Sequence, residues 1–313
     1  MRAPFEVLAR FPTVAHQKET PGLSAPLSRY SSPAERLLYA LRGILEPLPT
    51  VAKVCLLPLL TGCGPAVRIE SPERLAQGYV IVLPGVEGRS FLNADVAHGL
   101  EDGRVPYAIE VYDWTAGSVF LFPVNLRGLE RNRHEAGKIA ARIIAYQDAH
   151  PNRPVHILGH SGGGGLAVLT LEALPRGREI TSAILLAPAL APDYDLCRAL
   201  RRTQLGIWNF FSPYDVGFLA AGTWIMGTID GKHTPAAGQK GFVLPEGLDR
   251  QRRQLYLNLH QTAYEPRMAQ SGNTGTHTGW ANRRFVAEWL ASLINSQRPT
   301  DTRPAQAETR PAS

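Results

Sequence analysis

Along the middle of the chain, short apolar runs bounded by turn formers alternate with longer stretches in which apolar side chains recur every three or four positions. The first pattern predicts buried strands and the second predicts amphipathic helices. Tyr79–Leu83 is predicted as a strand ending at Pro84-Gly85, Phe91–Gly99 as a helix, and Ala108–Trp114 as the next strand. Glu130–His150 is a long helix, because Ala136, Ile139, Ala140, Ile143 and Ile144 share one face, and Pro151 closes it. Val155–Gly159 is a strand with room only for a sharp turn before a helix over Gly164–Leu174. Ser182–Ala187, Ile207–Phe211 and Leu255–Leu259 are predicted as further strands, with another at Trp224–Met226, and Ala281–Ile294 as the closing amphipathic helix. Strands alternating with helices define an α/β fold, with a mostly parallel central sheet and helices on both faces.

The periodic region spans residues 72–296 and reads as one domain, between an N-terminal extension (1–71) and a disordered tail (297–313). Pro4, Pro12, Pro21, Pro26, Pro33, Pro47 and Pro49 interrupt every helical pattern in the extension except one near residues 33–45. The tail is Pro, Thr, Arg and Ala without a large apolar residue, so burial cannot offset its ordering entropy. At 44% hydrophobic and 19% charged residues, the chain can fill one sizeable core. Its formal charge of +6 comes with arginine pairs at Arg201 and Arg202, Arg252 and Arg253, and Arg283 and Arg284. They are scattered as on solvated helix faces, which argues against a nucleic-acid partner. Cys55, Cys63 and Cys197 are too few and too unevenly spaced for a disulfide framework or a four-ligand zinc site, so no metal is expected.

Ahead of the domain, Lys53 precedes the apolar run Val54–Leu60, which continues into Thr61-Gly62-Cys63. This segment resembles a bacterial lipoprotein signal with its lipobox. The resemblance implies translation from a start later than Met1, cleavage before Cys63, lipid on that thiol, and anchoring at the membrane of the cell envelope. The competing reading is an apolar segment buried against the domain of a cytoplasmic protein. No stretch reaches the roughly 18 apolar residues of a spanning helix.

Gly159-His160-Ser161-Gly162-Gly163 is a G-x-S-x-G match set between a strand and a helix, the context that motif requires. A serine there sits on a strained turn, so the residues two before and two after must be small, as Gly159 and Gly163 are. The free N–H groups of the following helix face the reacting centre and can stabilise developing negative charge, Gly162 supplying one donor. Gly162-Gly163-Gly164-Gly165-Leu166-Ala167 also fits a dinucleotide loop, but no acid lies near Ile184–Leu190, where that motif needs one. A phosphate loop would need Lys-Ser or Lys-Thr next, and neither follows.

Residues 78–296 thus resemble the α/β-hydrolase superfamily of serine esterases and lipases. The resemblance implies Ser161 as nucleophile and the order Ser, acid, His along the chain, with no metal or organic cofactor. It also implies an oxyanion hole completed by the loop after an earlier strand, here Pro84-Gly85-Val86-Glu87-Gly88, with the Val86 N–H as second donor. The base must follow the last strand. His277, in the polar loop Gly272–Gly279, is preferred over His260, and His233 comes too early. Two aspartates compete for the acid: Asp215, directly after the strand Ile207–Phe211, is favoured, and Asp230 in Gly227-Thr228-Ile229-Asp230 is the alternative. The implied activity is hydrolysis of a small-molecule acyl ester through an acyl-enzyme. Peptidase, thioesterase or acyltransferase action on the same triad stays open, as does a non-catalytic, surface-anchored binding protein on the same scaffold. The apolar loop Thr115–Leu129 would border an acyl pocket or pack on the sheet, and the short span before Ile207 leaves no room for a large lid there.

The signal reading predicts a mature protein that begins at a lipidated Cys63. Mass spectrometry of protein taken from cells should find that lipopeptide; an intact peptide across Gly62 and Cys63 would reject it.

Overall fold

The computed structural model describes residues 66–117, 122–215 and 228–298. The helix near residues 33–45, the apolar run and Cys63, residues 118–121 of the apolar loop, the Trp224–Met226 strand and the tail from 299 lie outside the described residues.

Among the described residues one sheet has seven strands: β1 (Arg68–Ile69), β2 (Tyr79–Leu83), β3 (Ala108–Val111), β4 (Val155–His160), β5 (Ser182–Leu186), β6 (Ile207–Phe211) and β7 (Leu259–Ala263). Their order across the sheet is β1-β3-β2-β4-β5-β6-β7. β1 pairs antiparallel with β3, and every other pairing is parallel. A parallel sheet needs crossovers that cover both of its faces, so its inner strands are buried on both sides. β2, β4 and β5 are buried at every position; β2 is apolar throughout, and β4 and β5 are mostly so, with His156, His160 and Ser182 buried among their apolar residues.

Side chains alternate across the sheet and divide the core in two. Tyr79, Ile81 and Leu83 enter one half with Ile157, Ile139 and Ile143, the last two from the helix Leu129–Ala149. Val80 and Val82 enter the other with Leu158, Leu100 and the aromatic and aliphatic residues Phe285, Leu290 and Ile294. No described helix is long and apolar enough to cross a membrane.

Several elements depart from the sequence reading: β1 falls within residues read as the N-terminal extension 1–71 yet pairs in the sheet, and the strand read as Ala108–Trp114 ends at Val111. Leu255–Leu259 is not the last strand. The Asp249 carboxylate accepts from the Arg252 N–H and starts a helix at Arg250 that runs to Leu255, followed by a 3-10 turn over Tyr256–Asn258. The last strand is Leu259–Ala263, whose register is set by pairing with β6 from Ile207↔Leu259 onward. As the sheet's outermost strand it is only half covered, so Leu-His-Gln-Thr-Ala carries no apolar run to announce it.

The closing helix is also broken where periodicity reads it as continuous. Asn282 caps it by accepting from the Arg284 and Phe285 N–H groups, and a π turn over Val286–Leu290 separates Arg283–Phe285 from Ala291–Ser296. It packs on the helix Phe91–Asp102 so closely that a Cβ on Gly99 would strike Val286, and one on Gly103 would strike Ala291.

Candidate active site

Parallel strands deliver their following loops to one edge of the sheet, where α/β proteins bind ligands. The loop after β2, the turn after β4, Asp215 after β6 and His277 after β7 all leave the carboxyl ends of their strands.

Ser161 follows β4 and occupies the N-cap position of the helix Gly162–Ala173, with φ 54° and ψ −121°. A non-glycine residue with positive φ carries strain of roughly 1–3 kcal/mol, which its surroundings must hold in place. The Ser161 N–H donates to the Leu186 carbonyl at 2.9 Å, and the Ser161 carbonyl accepts from the Gly164 and Ala189 N–H groups, both at 3.0 Å. A Cβ on Gly159 would run into the Gly163 carbonyl, and one on Gly163 into the carbonyl oxygens of Leu83 and Pro84. Small residues are therefore required on both sides of the serine, as the motif suggested.

The loop Pro84–Gly88 lies against this turn. A Cβ on Gly162 would touch the Val86 side chain and come within 3.5 Å of the Val86 backbone nitrogen. The loop is pinned through its carbonyls. Trp114 Nε1 donates to Pro84 O at 2.7 Å, Asn125 Nδ2 to Val86 O at 3.0 Å, and Asn93 Nδ2 to Gly88 O at 2.9 Å. The loop closes on itself through Gly88 N–H to Gly85 O at 3.1 Å. Trp114, Asn125 and Asn93 are all buried, so the peptide planes that aim the loop's N–H groups are fixed by the core.

The structure brings His277 and Asp215 together, with Nδ1 2.7 Å from Oδ2 and both residues buried. Burial pulls the His277 imidazole pKa down, but the Asp215 charge and hydrogen bond, reinforced by the Glu87 charge, outweigh it and raise the net value above the usual 6.5. Asp230 is used elsewhere: its Oδ1 accepts from the Ala191 N–H at 3.1 Å and holds the chain beyond β5. His260 lies within β7, stacked on Trp208 with ring centroids 4.3 Å apart. His233 is exposed in the segment between β6 and the helix Ala237–Lys240.

Two residues at this site were quoted in the motifs without a role. Glu87, half-buried on the pinned loop, faces His277 electrostatically. Desolvation pushes its carboxyl pKa up, against its backbone contacts, Asn93 at 3.3 Å and the His277 charge. His160, the variable residue ahead of the serine, reaches the His277 backbone with Nε2 2.9 Å from its carbonyl oxygen. Neither contact has a sequence signal, because both depend on segments far apart in the chain.

A seven-stranded, mostly parallel sheet with a serine on a sharp strand-to-helix turn at its carboxyl edge defines the α/β-hydrolase fold. No family model matches the chain. No curated protein matches it either. Solved structures do. Est1E from Butyrivibrio proteoclasticus is 13% identical with a TM-score of 0.43, covering 74% of this chain and 98% of its own. The monoacylglycerol lipase of Paleococcus ferrophilus is 13% identical with a TM-score of 0.41, covering 73% and 98%. The dienelactone hydrolase of Anabaena variabilis is 16% identical with a TM-score of 0.40, covering 74% and 95%.

The turn predicts the behaviour of Gly163→Ala. Alanine in a helix is favoured over glycine by about 1 kcal/mol. The new methyl, however, meets two backbone carbonyls that cannot rotate away, an overpacking effect of about 1–3 kcal/mol or more. Net destabilisation is expected in urea or thermal melts; a variant as stable as the parent would contradict this account of the turn.

Proposed function

We propose that the chain is a serine hydrolase that cleaves carboxylic esters, with Ser161 as nucleophile, His277 as general base and Asp215 as the acid that orients it. The observation that carries this reading is the buried His277–Asp215 pair at 2.7 Å, on the same sheet edge as a serine held at φ 54° whose neighbour His160 contacts the His277 backbone. A strained serine alone is a turn and a buried His–Asp pair alone is an ion pair; an edge that combines them fits acyl transfer.

In the proposed reaction, Ser161 Oγ attacks the ester carbonyl while His277 Nε2 takes its proton. Asp215, on Nδ1, keeps that tautomer and stabilises the imidazolium. The oxyanion accepts hydrogen bonds from the N–H groups of Gly162 and Val86. The tetrahedral intermediate collapses as His277 returns the proton to the leaving alcohol. Water then attacks the acyl-enzyme with His277 again as base, releasing the carboxylic acid and restoring Ser161. Esters are the substrate class implied by the resemblance to serine esterases and lipases. The lipobox reading adds anchoring at the envelope membrane through Cys63.

Ser161→Ala should abolish hydrolysis of short p-nitrophenyl esters without altering the fold, and Asp215→Asn should lower turnover by roughly 10⁴-fold, since it enforces the wrong tautomer. Asp230→Asn should cost far less. The base must be neutral to accept a proton, so a raised His277 pKa moves the acid limb of kcat/KM upward, to an inflection above about 6.5. Full activity of Ser161→Ala would sink the mechanism.

A further inference from the structure

His160 is buried at the carboxyl end of β4, immediately before Ser161, and its Nε2 lies 2.9 Å from the carbonyl oxygen of His277. The two residues are 117 positions apart, and their rings stand with centroids 4.8 Å apart. A carbonyl can only accept, so Nε2 must carry a hydrogen. Burial lowers the His160 pKa to about 3, the His277 charge acts in the same direction, and the carbonyl contact opposes them weakly. The ring is therefore neutral throughout the working range, and its single hydrogen is committed to Nε2. The other nitrogen, Nδ1, is buried with no partner among the described residues. Through its nitrogens the ring is thus linked, among those residues, to the His277 backbone.

This contact answers a mechanical need. Asp215 grips His277 by its ring, but the ring hangs from the segment Gly272–Gly279, which passes through positive φ at Gly272 and Gly275. Glycines that visit this region give a backbone wide freedom. Asp215 therefore fixes the orientation of the imidazole and leaves the position of its Cα to other contacts. The His160 bond supplies one, from the residue adjoining the nucleophile. Its neutrality also matters. His277 already faces the carboxyl groups of Asp215 and Glu87, and a second cation at His160 would oppose the imidazolium that those groups favour.

We propose that His160 is a positioning residue that ties the base-bearing loop to the nucleophile turn through Nε2–H···O=C of His277, so that Ser161 and His277 hold their mutual geometry. This rests on the triad assignment proposed above. It makes the variable residue of G-x-S-x-G part of the machinery through its side chain, without contact to the substrate.

The test compares His160→Phe, which keeps ring volume and removes the donor, with His160→Gln, which restores an N–H donor at similar reach. Misplacing a reacting group by about 1 Å costs on the order of 10²-fold in rate. His160→Phe should therefore lose about 10–100-fold in kcat on a p-nitrophenyl ester. Its KM should stay within about twofold, as expected when an interaction acts mainly in the transition state. His160→Gln should recover most of the loss, and the acid limb should stay where it is in the parent. Parental kcat in His160→Phe, or equal losses in Phe and Gln, would overturn the proposal. Imidazole ¹⁵N NMR of the unmodified protein provides a reading independent of variant folding. His160 should keep its hydrogen on Nε2 without titrating from about pH 5 to 9, and an Nδ1–H tautomer or titration in that range would equally overturn it. Failure of the triad assignment looks different: the parent and Ser161→Ala would then hydrolyse the ester alike, whatever His160 does.

Discussion

The constraint on which the site depends is the left-handed backbone of Ser161, a conformation that L side chains avoid and that the surrounding structure must impose. It is imposed by three backbone hydrogen bonds at that one residue: its N–H donates to the Leu186 carbonyl, and its carbonyl accepts from the Gly164 and Ala189 N–H groups. These need β4 and β5 in register, so that strand ends meet, and they need the helix to begin at Gly162 without a spacer. The same turn brings Gly163 against the carbonyls of Leu83 and Pro84, which locks the following helix to the end of β2 and to the loop Pro84–Gly88. One strained residue therefore sets the relative positions of the Ser161 turn, the helix N-terminus and the loop Pro84–Gly88. A site assembled this way is stiff by construction, because displacing the serine breaks its bonds to β5 and to Ala189 beyond it.

Around that fixed point the electrostatics act in a consistent direction. Asp215, bonded to His277, and the charge of Glu87 both favour the protonated form of His277 over the effect of burial. The proposed reaction needs an imidazolium during each tetrahedral intermediate, and negative partners stabilise that state. His160, held neutral by burial, adds no opposing charge. The cost is paid on the acid side of the pH profile, where a more basic imidazole is occupied by a proton sooner.

Much of this was legible in the residues, for physical reasons. β2, β4 and β5 are covered on both faces, so their sequences are mostly apolar, and the glycines around Ser161 mark a turn that excludes a Cβ. What escaped were features fixed by distant parts of the chain. The outer strand β7 is half exposed and polar, and its register comes from β6, so Leu255–Leu259 offered a better apolar pattern in the wrong place. Between Asp215 and Asp230, both in turn-like sequence, strand order gave only a preference for Asp215; the path of the chain then sets Asp215 against Nδ1 of His277 and Asp230 against the Ala191 N–H. Glu87 and His160 were visible as letters in motifs; their relation to His277 exists only once β2, β4 and the segment after β7 share an edge. The π turn at Val286–Leu290 is likewise silent, because its residues keep a helical apolar pattern.

The central claim is that Ser161 is an activated nucleophile rather than a serine in a glycine-rich turn. A fluorophosphonate reacts covalently with activated serines, and peptide mapping locates its adduct. The account predicts one adduct per chain, on the peptide carrying Ser161, formed more slowly as His277 becomes protonated at lower pH. A chain that stays unlabelled, or that carries the adduct on a different serine, would contradict it.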